Sequence, residues 1–146
     1  MKVELKIDPE VKESHAVVYA SSVTPEIQHL VNMIRGHQNK LITGHRDQRI
    51  FLLSPKEVFS FATENQRVIA RTEKGDYSVK LRLYEIEEQL RGESFVRISN
   101  SVLANVEHFS CLEMAFNGLM IVRFKNGTTE PISRRCVAKV KTYLGI

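Results

Sequence analysis

Hydrophobic and polar residues alternate with different periods in the two parts of the chain. In the first part, apolar residues at every second position of Val3 to Ile7 and the apolar centre of His15 to Ala20 predict two strands. Thr24 and Pro25 are typical of a helix start. Apolar residues then recur at helical spacing, at Ile27, Leu30, Val31 and Ile34. We therefore expect residues 1–45 to form a strand-strand-helix segment, with Gly36 ending the helix and a polar connector over 37–44.

After this segment the pattern changes to short apolar stretches separated by turn residues, as in antiparallel β proteins. Strands are predicted at 49–53, 58–62, 67–72, 77–81, 95–98, 102–106, 110–116, 119–124 and 129–132, and helices at 82–91 and 134–144. Asn117-Gly118 and Asn126-Gly127 predict hairpins with type I′ turns, in which both central residues have positive φ. We expect a mainly β protein with short helices, α+β overall, whose second domain, residues 46–146, is an antiparallel β-sandwich.

The composition fits a globular protein of one domain with a short annex. Of the 146 residues, 42% are hydrophobic and 26% are charged, and no apolar stretch approaches the roughly 18 residues of a membrane span. The first residues lack the apolar core of a signal peptide, so we expect a cytoplasmic protein. Cys111 and Cys136 are too few for a disulfide framework, and both are expected to be reduced and at least partly buried.

Motifs for catalysis or metal binding are missing from the sequence. It has no nucleotide-binding glycine loop, no metal-spaced cysteine cluster and no nucleophile with an evident base. His29, His37 and His45 recur every eight residues, a spacing that would spread them around a helix. Glu85, Glu87 and Glu88 fit the solvated face of an amphipathic helix. We expect no enzyme, catalytic residue, metal, cofactor or small-molecule substrate.

The charge distribution permits an anionic partner. The formal net charge is +4 and the isoelectric point is near 9.2. From Arg123 to the C-terminus, six basic residues and one acidic residue, Glu130, leave +5. Such a basic end fits nucleic-acid binding and fits a solvated helix face equally well.

Three short motifs in the second domain carry a family resemblance. They are the polar Ser99-Asn100-Ser101 followed by Asn105, the Phe124-Lys125-Asn126-Gly127 turn, and Pro131-Ile132-Ser133-Arg134-Arg135 before the last helix. The first motif alone also fits a structural turn. Together, in this order and spacing, the stretch from about Arg46 to Ile146 resembles the LytTR family of bacterial response-regulator DNA-binding domains. The resemblance implies a compact β fold that places loops in successive major grooves.

The resemblance also implies which residues contact DNA. Gln66, Asn100 and Arg134 match the base-contacting positions, with Arg135 beside the last, although family members often have histidine or another polar residue where Gln66 falls. An amide can pair with adenine and a guanidinium with guanine, which fits these residue types. Phosphate contacts are expected from Lys125, Arg97 and Ser101. Arg134 could instead be a solvated residue at a helix start, but the positive end of the helix dipole disfavours a cation there.

The resemblance further implies a regulator without a receiver domain, because only about 45 residues precede the matched region. The chain is similar to the stand-alone LytTR regulators of Gram-positive bacteria. This similarity implies two partners, double-stranded promoter DNA with repeated half-sites and a small inhibitory membrane protein.

The stripe of Ile27, Leu30, Val31 and Ile34 could form a homodimer contact or fold back on its own domain. The alternative function is a protein-interaction or anti-regulator module that has lost DNA readout. RNA binding is disfavoured, since Tyr77, Phe95 and Phe124 form no evident stacking surface.

Overall fold

The computed structural model describes residues 1–35 and 41–146, and the chain divides into two units, residues 1–38 and 39–146. The first unit contains helix α1, Pro25–Ile34, which confirms the predicted helix. The Thr24 side chain caps it, its Oγ1 accepting a hydrogen bond from the Ile27 amide at 3.2 Å. The predicted helix end at Gly36 and the connector as far as residue 40 lie outside the described residues.

The two strands predicted before α1 are wrong. Residues 1–24 form no strand, and the alternating apolar side chains of Val3, Leu5 and Ile7 are all more than 80% exposed. Alternation alone does not make a strand, because a strand needs a neighbour to accept and donate its backbone hydrogen bonds. No such neighbour pairs with these residues in the described part of the chain.

In its described residues, 41–146, the second unit contains ten strands, two helices and two short 3₁₀ helices. The strands are β1 Ile42–Arg46, β2 Arg49–Leu53, β3 Val58–Glu64, β4 Arg67–Thr72, β5 Gly75–Val79, β6 Phe95–Ser99, β7 Val102–Asn105, β8 Phe109–Met114, β9 Met120–Phe124 and β10 Thr129–Ile132. The helices are α2 Leu83–Gln89 and α3 Arg134–Leu144, with 3₁₀ helices at Pro55–Glu57 and Val106–His108. Strand β1 was not predicted, because most of its residues were assigned to the connector over 37–44. The predicted domain boundary after residue 45 falls inside this strand.

The strands form two antiparallel sheets, which confirms the predicted mainly β, α+β architecture. The larger sheet has seven strands in the order β2-β1-β5-β4-β3-β7-β6, and the smaller has three in the order β10-β9-β8. A guanidinium links the two sheets, since Arg71 on β4 lies 2.9 Å from the Glu130 carboxylate on β10. None of the helices in the described residues is both long and apolar enough to cross a membrane.

Two hydrophobic cores share strand β3. Val58 and Phe61 pack into the first core, with α2 and the strands from β1 to β5. Phe59 and Ala62 pack into the second core, with α3, β6 and the smaller sheet. Cys136 of α3 belongs to the second core, whereas Cys111 is exposed, contrary to expectation, because it lies on the edge strand β8. Side chains on opposite faces of β3 thus join both halves of the unit.

The turn chemistry differs from the prediction. At the two Asn-Gly pairs only Gly118 and Gly127 have positive φ, and each glycine ends a turn that its amide closes by donating to the carbonyl three residues earlier. The two-residue turns with positive φ at both positions are instead Asp47-Gln48 and Asn65-Gln66. The loops that contain the Asn-Gly pairs are longer than two residues. In such loops only the glycine needs the left-handed conformation, so the asparagine before it keeps negative φ.

Asn105 is the buried polar centre of the second unit. Its side chain is fully buried at the end of β7, where Nδ2 donates to the carbonyls of Pro55 at 3.3 Å and Val58 at 3.0 Å. Its Oδ1 accepts from Ser94 Oγ at 2.7 Å and the Glu107 amide at 3.0 Å. All four hydrogen-bonding positions of the amide are therefore filled. Asn105 joins β7 to the 3₁₀ turn before β3 and to the residue before β6.

We expect Asn105→Leu to lower the free energy of unfolding by about 2–4 kcal/mol, because it leaves several buried polar groups without partners. Urea unfolding followed by circular dichroism measures the change. Asn100→Ala, at an exposed turn, is the control and should change stability by less than about 0.5 kcal/mol. Equal effects of the two substitutions would contradict this role of Asn105.

Candidate nucleic-acid interface

Five adjacent strands place their ends together at one end of the larger sheet. Antiparallel pairing along β5-β4-β3-β7-β6 brings the end of β5, the start of β4, the end of β3, the start of β7 and the end of β6 to the same side. We call this end of the sheet, together with the start of α3, the loop edge. It contains the Asn65-Gln66 turn, the Asn100-Ser101 turn and Arg134-Arg135.

Two backbone hydrogen bonds connect these three segments. The Thr63 amide donates to the Ser101 carbonyl at 2.8 Å, which joins the end of β3 to the β6–β7 turn. The Ser133 amide donates to the Ile98 carbonyl at 2.9 Å, which joins the start of α3 to the end of β6. Segments far apart in sequence therefore become neighbours through the main chain, independently of their side chains.

The first segment is the tight turn between β3 and β4. Glu64 pairs with Arg67, so only Asn65 and Gln66 form the turn, with φ values of 50° and 66°. Both residues are exposed. Because Ala62 pairs with Val102, the turn extends about two residues, roughly 7 Å, beyond the β6–β7 turn. Gln66 is thus presented at a protruding tip.

The second segment is the β6–β7 turn, which an arginine holds in place. The Arg97 guanidinium donates through Nε to Glu87 Oε2 of α2 at 2.9 Å and through Nη1 to the Asn100 carbonyl at 2.7 Å. Its side chain is only 21% exposed. The Asn100 side chain is exposed, and it makes no hydrogen bond to other described residues. Arg97 is therefore engaged inside the domain, and it orients the backbone that carries Asn100.

The third segment is the start of α3, where two arginine side chains lie beside backbone amides that have no partner within the helix. Arg134 and Arg135 are exposed in its first turn, which contains no acidic residue. Ser133 precedes the helix but makes no capping hydrogen bond, and its buried hydroxyl has no partner among the described residues. Neither arginine forms an ion pair with another described residue. A helix start with two unneutralised arginines is an arrangement that attracts anions.

Lys125 lies elsewhere. Its amide donates to the His108 carbonyl at 2.8 Å, and the His108 ring lies 2.7 Å from the Lys56 carbonyl, which places it beside the start of β3. The four residues of β10, roughly 13 Å of strand, separate its turn from Arg134. The structure thus brings six of the seven predicted residues to the loop edge and places Lys125 at the opposite end of the sheet.

Two basic residues after β5 were not predicted as site residues, and neither was Arg67 at the start of β4. Lys80 and Arg82 follow β5, whose end lies beside the start of β4 because Val68 pairs with Val79. Both side chains are exposed. In the sequence they look like ordinary polar residues before a helix, and only the order of the strands places them near Gln66.

Comparisons with known proteins show which family and fold the chain resembles. The family model described as LytTr DNA-binding domain matches residues 48–145. Two proteins of Staphylococcus aureus, strains MSSA476 and MW2, both described as uncharacterized HTH-type transcriptional regulators, are 30% identical over 147 residues, covering 100% of this chain and 99% of theirs. A solved LytTr DNA-binding domain from Bacillus cereus superposes with a TM-score of 0.69 at 20% identity, over 73% of this chain and 97% of that one.

The helix-turn-helix in the description of those relatives has no counterpart in the described residues of this chain. A helix-turn-helix requires two consecutive helices joined by a short turn. Strands separate α1 from α2 and α2 from α3. The exposed groups at the loop edge come from turns and from one helix start.

We expect Gln66→Gly to raise the free energy of unfolding by up to about 1 kcal/mol, because glycine adopts positive φ without the steric cost that other residues have. Gln48→Gly, in the corresponding turn between β1 and β2, should give a similar gain. Thermal unfolding measures both. Ser101→Gly is the control, since Ser101 has negative φ and its replacement should bring no gain. A gain for Ser101→Gly alone would contradict the turn assignment.

Proposed function

The chain belongs to the LytTr DNA-binding domain family, and we propose that it is a transcription regulator that binds double-stranded DNA through the loop edge. The family is a DNA-binding type and not an enzyme class. The observation that carries the proposal is the pair of backbone hydrogen bonds, Thr63 to Ser101 and Ser133 to Ile98. These bonds keep the side-chain carboxamides of Gln66 and Asn100 and the guanidinium of Arg134 along one edge of the sheet. Carboxamides and guanidinium groups are suited to hydrogen bonding with base edges in the major groove.

The three segments have distinct roles in this proposal. Gln66 and Asn100 present exposed carboxamides, which can donate to and accept from adenine. Arg134 presents a guanidinium without an internal ion pair among the described residues, and this group can donate two hydrogen bonds to guanine. The protruding Asn65-Gln66 turn and the start of α3 flank the Asn100 turn, so contacts would follow the DNA in that order.

Phosphate contacts come from the remaining residues of the edge. Arg135 and the backbone amides at the start of α3 can bind one phosphate. The Ser101 hydroxyl can donate a hydrogen bond to another. Arg97 acts as a positioning residue, because Glu87 and the Asn100 carbonyl already occupy its guanidinium. Lys125 has no role in this interface because it lies at the opposite end of the sheet.

Selection of tight-binding duplexes from a randomised pool by the full chain tests the proposal. We expect enrichment of a defined sequence with repeated half-sites. Asn100→Ala and Arg134→Ala should each lower the ratio of specific to non-specific affinity by roughly 1–3 kcal/mol, about 5- to 150-fold, because each removes a base contact. Fluorescence anisotropy on the selected duplex and a scrambled duplex measures this ratio.

The controls use residues at the opposite end of the sheet. Gln48→Ala removes a carboxamide from the corresponding turn between β1 and β2, and Lys125→Ala removes a positive charge. Both should leave the affinity ratio unchanged. Unchanged ratios in Asn100→Ala and Arg134→Ala would overturn the assignment of the base-contacting residues.

The family match does not favour the protein-interaction or anti-regulator alternative. The absence of any enriched sequence, with folding intact by circular dichroism, would support that alternative and overturn the proposed function. A restraining membrane protein remains a prediction of the family resemblance.

We propose that the apolar stripe of α1 mediates homodimerisation. None of the α1 residues is buried, and Ile34 is 54% exposed. Unburied apolar side chains at helical spacing are typical of a contact surface. A truncated chain that begins near His45 is unsuitable as a test, since it would lack most of β1.

We expect Leu30→Glu in the full chain to shift the oligomeric state from dimer to monomer, because it places a charge in the apolar contact. Multi-angle light scattering over a concentration series measures the molar mass. Gln28→Glu adds the same charge to the same helix away from the stripe and should leave the dimer intact. A wild-type chain that is monomeric throughout would contradict the dimer.

A further inference from the structure

A shallow groove beside the Asn65-Gln66 turn extends the loop edge toward β1. It has a volume of about 440 Å³, and its charged lining side chains are Arg67, Lys80 and Arg82. Gln66 also lines it, as do His45 and Ser78, which pair across β1 and β5. The groove therefore lies directly outside the first of the three DNA-contacting segments.

The groove is strongly positive for its size. Its three basic residues carry a formal charge of +3, and no acidic residue lines it. None of the three forms an ion pair with another described residue, in contrast to Arg71, which contacts both Glu64 and Glu130. Basic side chains held together without counter-charges repel each other, and an external anion relieves that repulsion.

The composition of the groove favours a phosphate backbone over a base edge. Lysine is a flexible point charge suited to phosphate oxygens, and an arginine guanidinium can donate two hydrogen bonds to one phosphate. A small organic anion would require an enclosed site, whereas Arg67, Lys80 and Arg82 are all exposed. An extended polyanion can reach all three together.

We infer that Arg67, Lys80 and Arg82 bind the DNA backbone that flanks the bases contacted by Gln66. This inference rests on the proposed function, and it adds a sequence-independent contact to it. Three strand spacings separate β7 from β5, about 14 Å, which corresponds to roughly four base-pair rises. The groove thus lengthens the bound DNA on the side away from Arg134.

The test compares two double variants that remove equal charge from the full chain. Lys80→Ala/Arg82→Ala changes the groove, and Lys56→Ala/Lys74→Ala changes the opposite end of the sheet. The dissociation constant is measured on the selected duplex and a scrambled duplex between 50 and 300 mM salt. We expect the groove variant to reduce the slope of log affinity against log salt by about 1.8, since each lost phosphate contact removes roughly 0.9. The ratio of specific to non-specific affinity should stay unchanged.

Shortening the duplex distinguishes direct contact between the groove and DNA from long-range electrostatic attraction. Four base pairs are removed from either flank of the selected half-site in turn. The wild-type chain should lose affinity on one trimmed flank only, and the groove variant should be insensitive to that same trimming.

The outcomes distinguish a failure of the groove contact from a failure of the proposed DNA-binding function. Equal slopes in the two double variants, or equal sensitivity of wild type and groove variant to trimming, would overturn the groove contact while leaving the proposed function intact. A changed affinity ratio in the groove variant would also overturn it, since phosphate contacts carry no sequence information. A wild-type chain that enriches no sequence overturns the proposed function itself.

Discussion

Strand β3 is buried over its whole first part, from Val58 to Ala62, with Val58 and Phe61 in one core and Phe59 and Ala62 in the other. Because neither face of this strand meets water, β4 and β7 must cover its edges and α2 and the smaller sheet must cover its faces. Asn105 fixes the start of β3 through the Pro55 and Val58 carbonyls. A polar group so completely satisfied specifies one register for β7, because a shift would leave its amide and both carbonyls without partners.

The same arrangement gives the second unit two different ends. At the loop edge the only acidic residue of the β3–β4 hairpin, Glu64, is neutralised by Arg71. The opposite end carries Glu57, Glu73 and Glu107 beside its lysines. Helix α2 contributes to the loop edge indirectly, since Glu87 holds Arg97 and thereby the Asn100 backbone.

Local patterns were sufficient for most of the second unit but not for the first or for the site. Period-two alternation and turn residues predicted β2, β4 and β10 with their observed bounds, and helical spacing predicted α3. The same alternation failed at Val3 to Ile7, because pairing depends on a partner that the pattern does not contain. The type I′ turns were assigned to Asn-Gly and occur at Asp47-Gln48 and Asn65-Gln66, where the strand register leaves only two residues. Lys125 and Lys80 could not be placed without the strand order, since charge along a chain does not say at which end of a sheet a residue lies.

The exposed groups of the loop edge lie beyond the last paired residues of their strands. Glu64 and Arg67 close one ladder and Ser99 and Val102 close another, so Asn65, Gln66 and Asn100 belong to no ladder. Their side chains can be exchanged without breaking a backbone pair or opening a core. If the loop edge binds DNA as proposed, the residues that recognise DNA are largely separate from the residues that hold the sheets and cores together. Substitutions in these turns would then change the target sequence while leaving the framework in place, and exchanging the turns between relatives would be a way to redesign binding preferences.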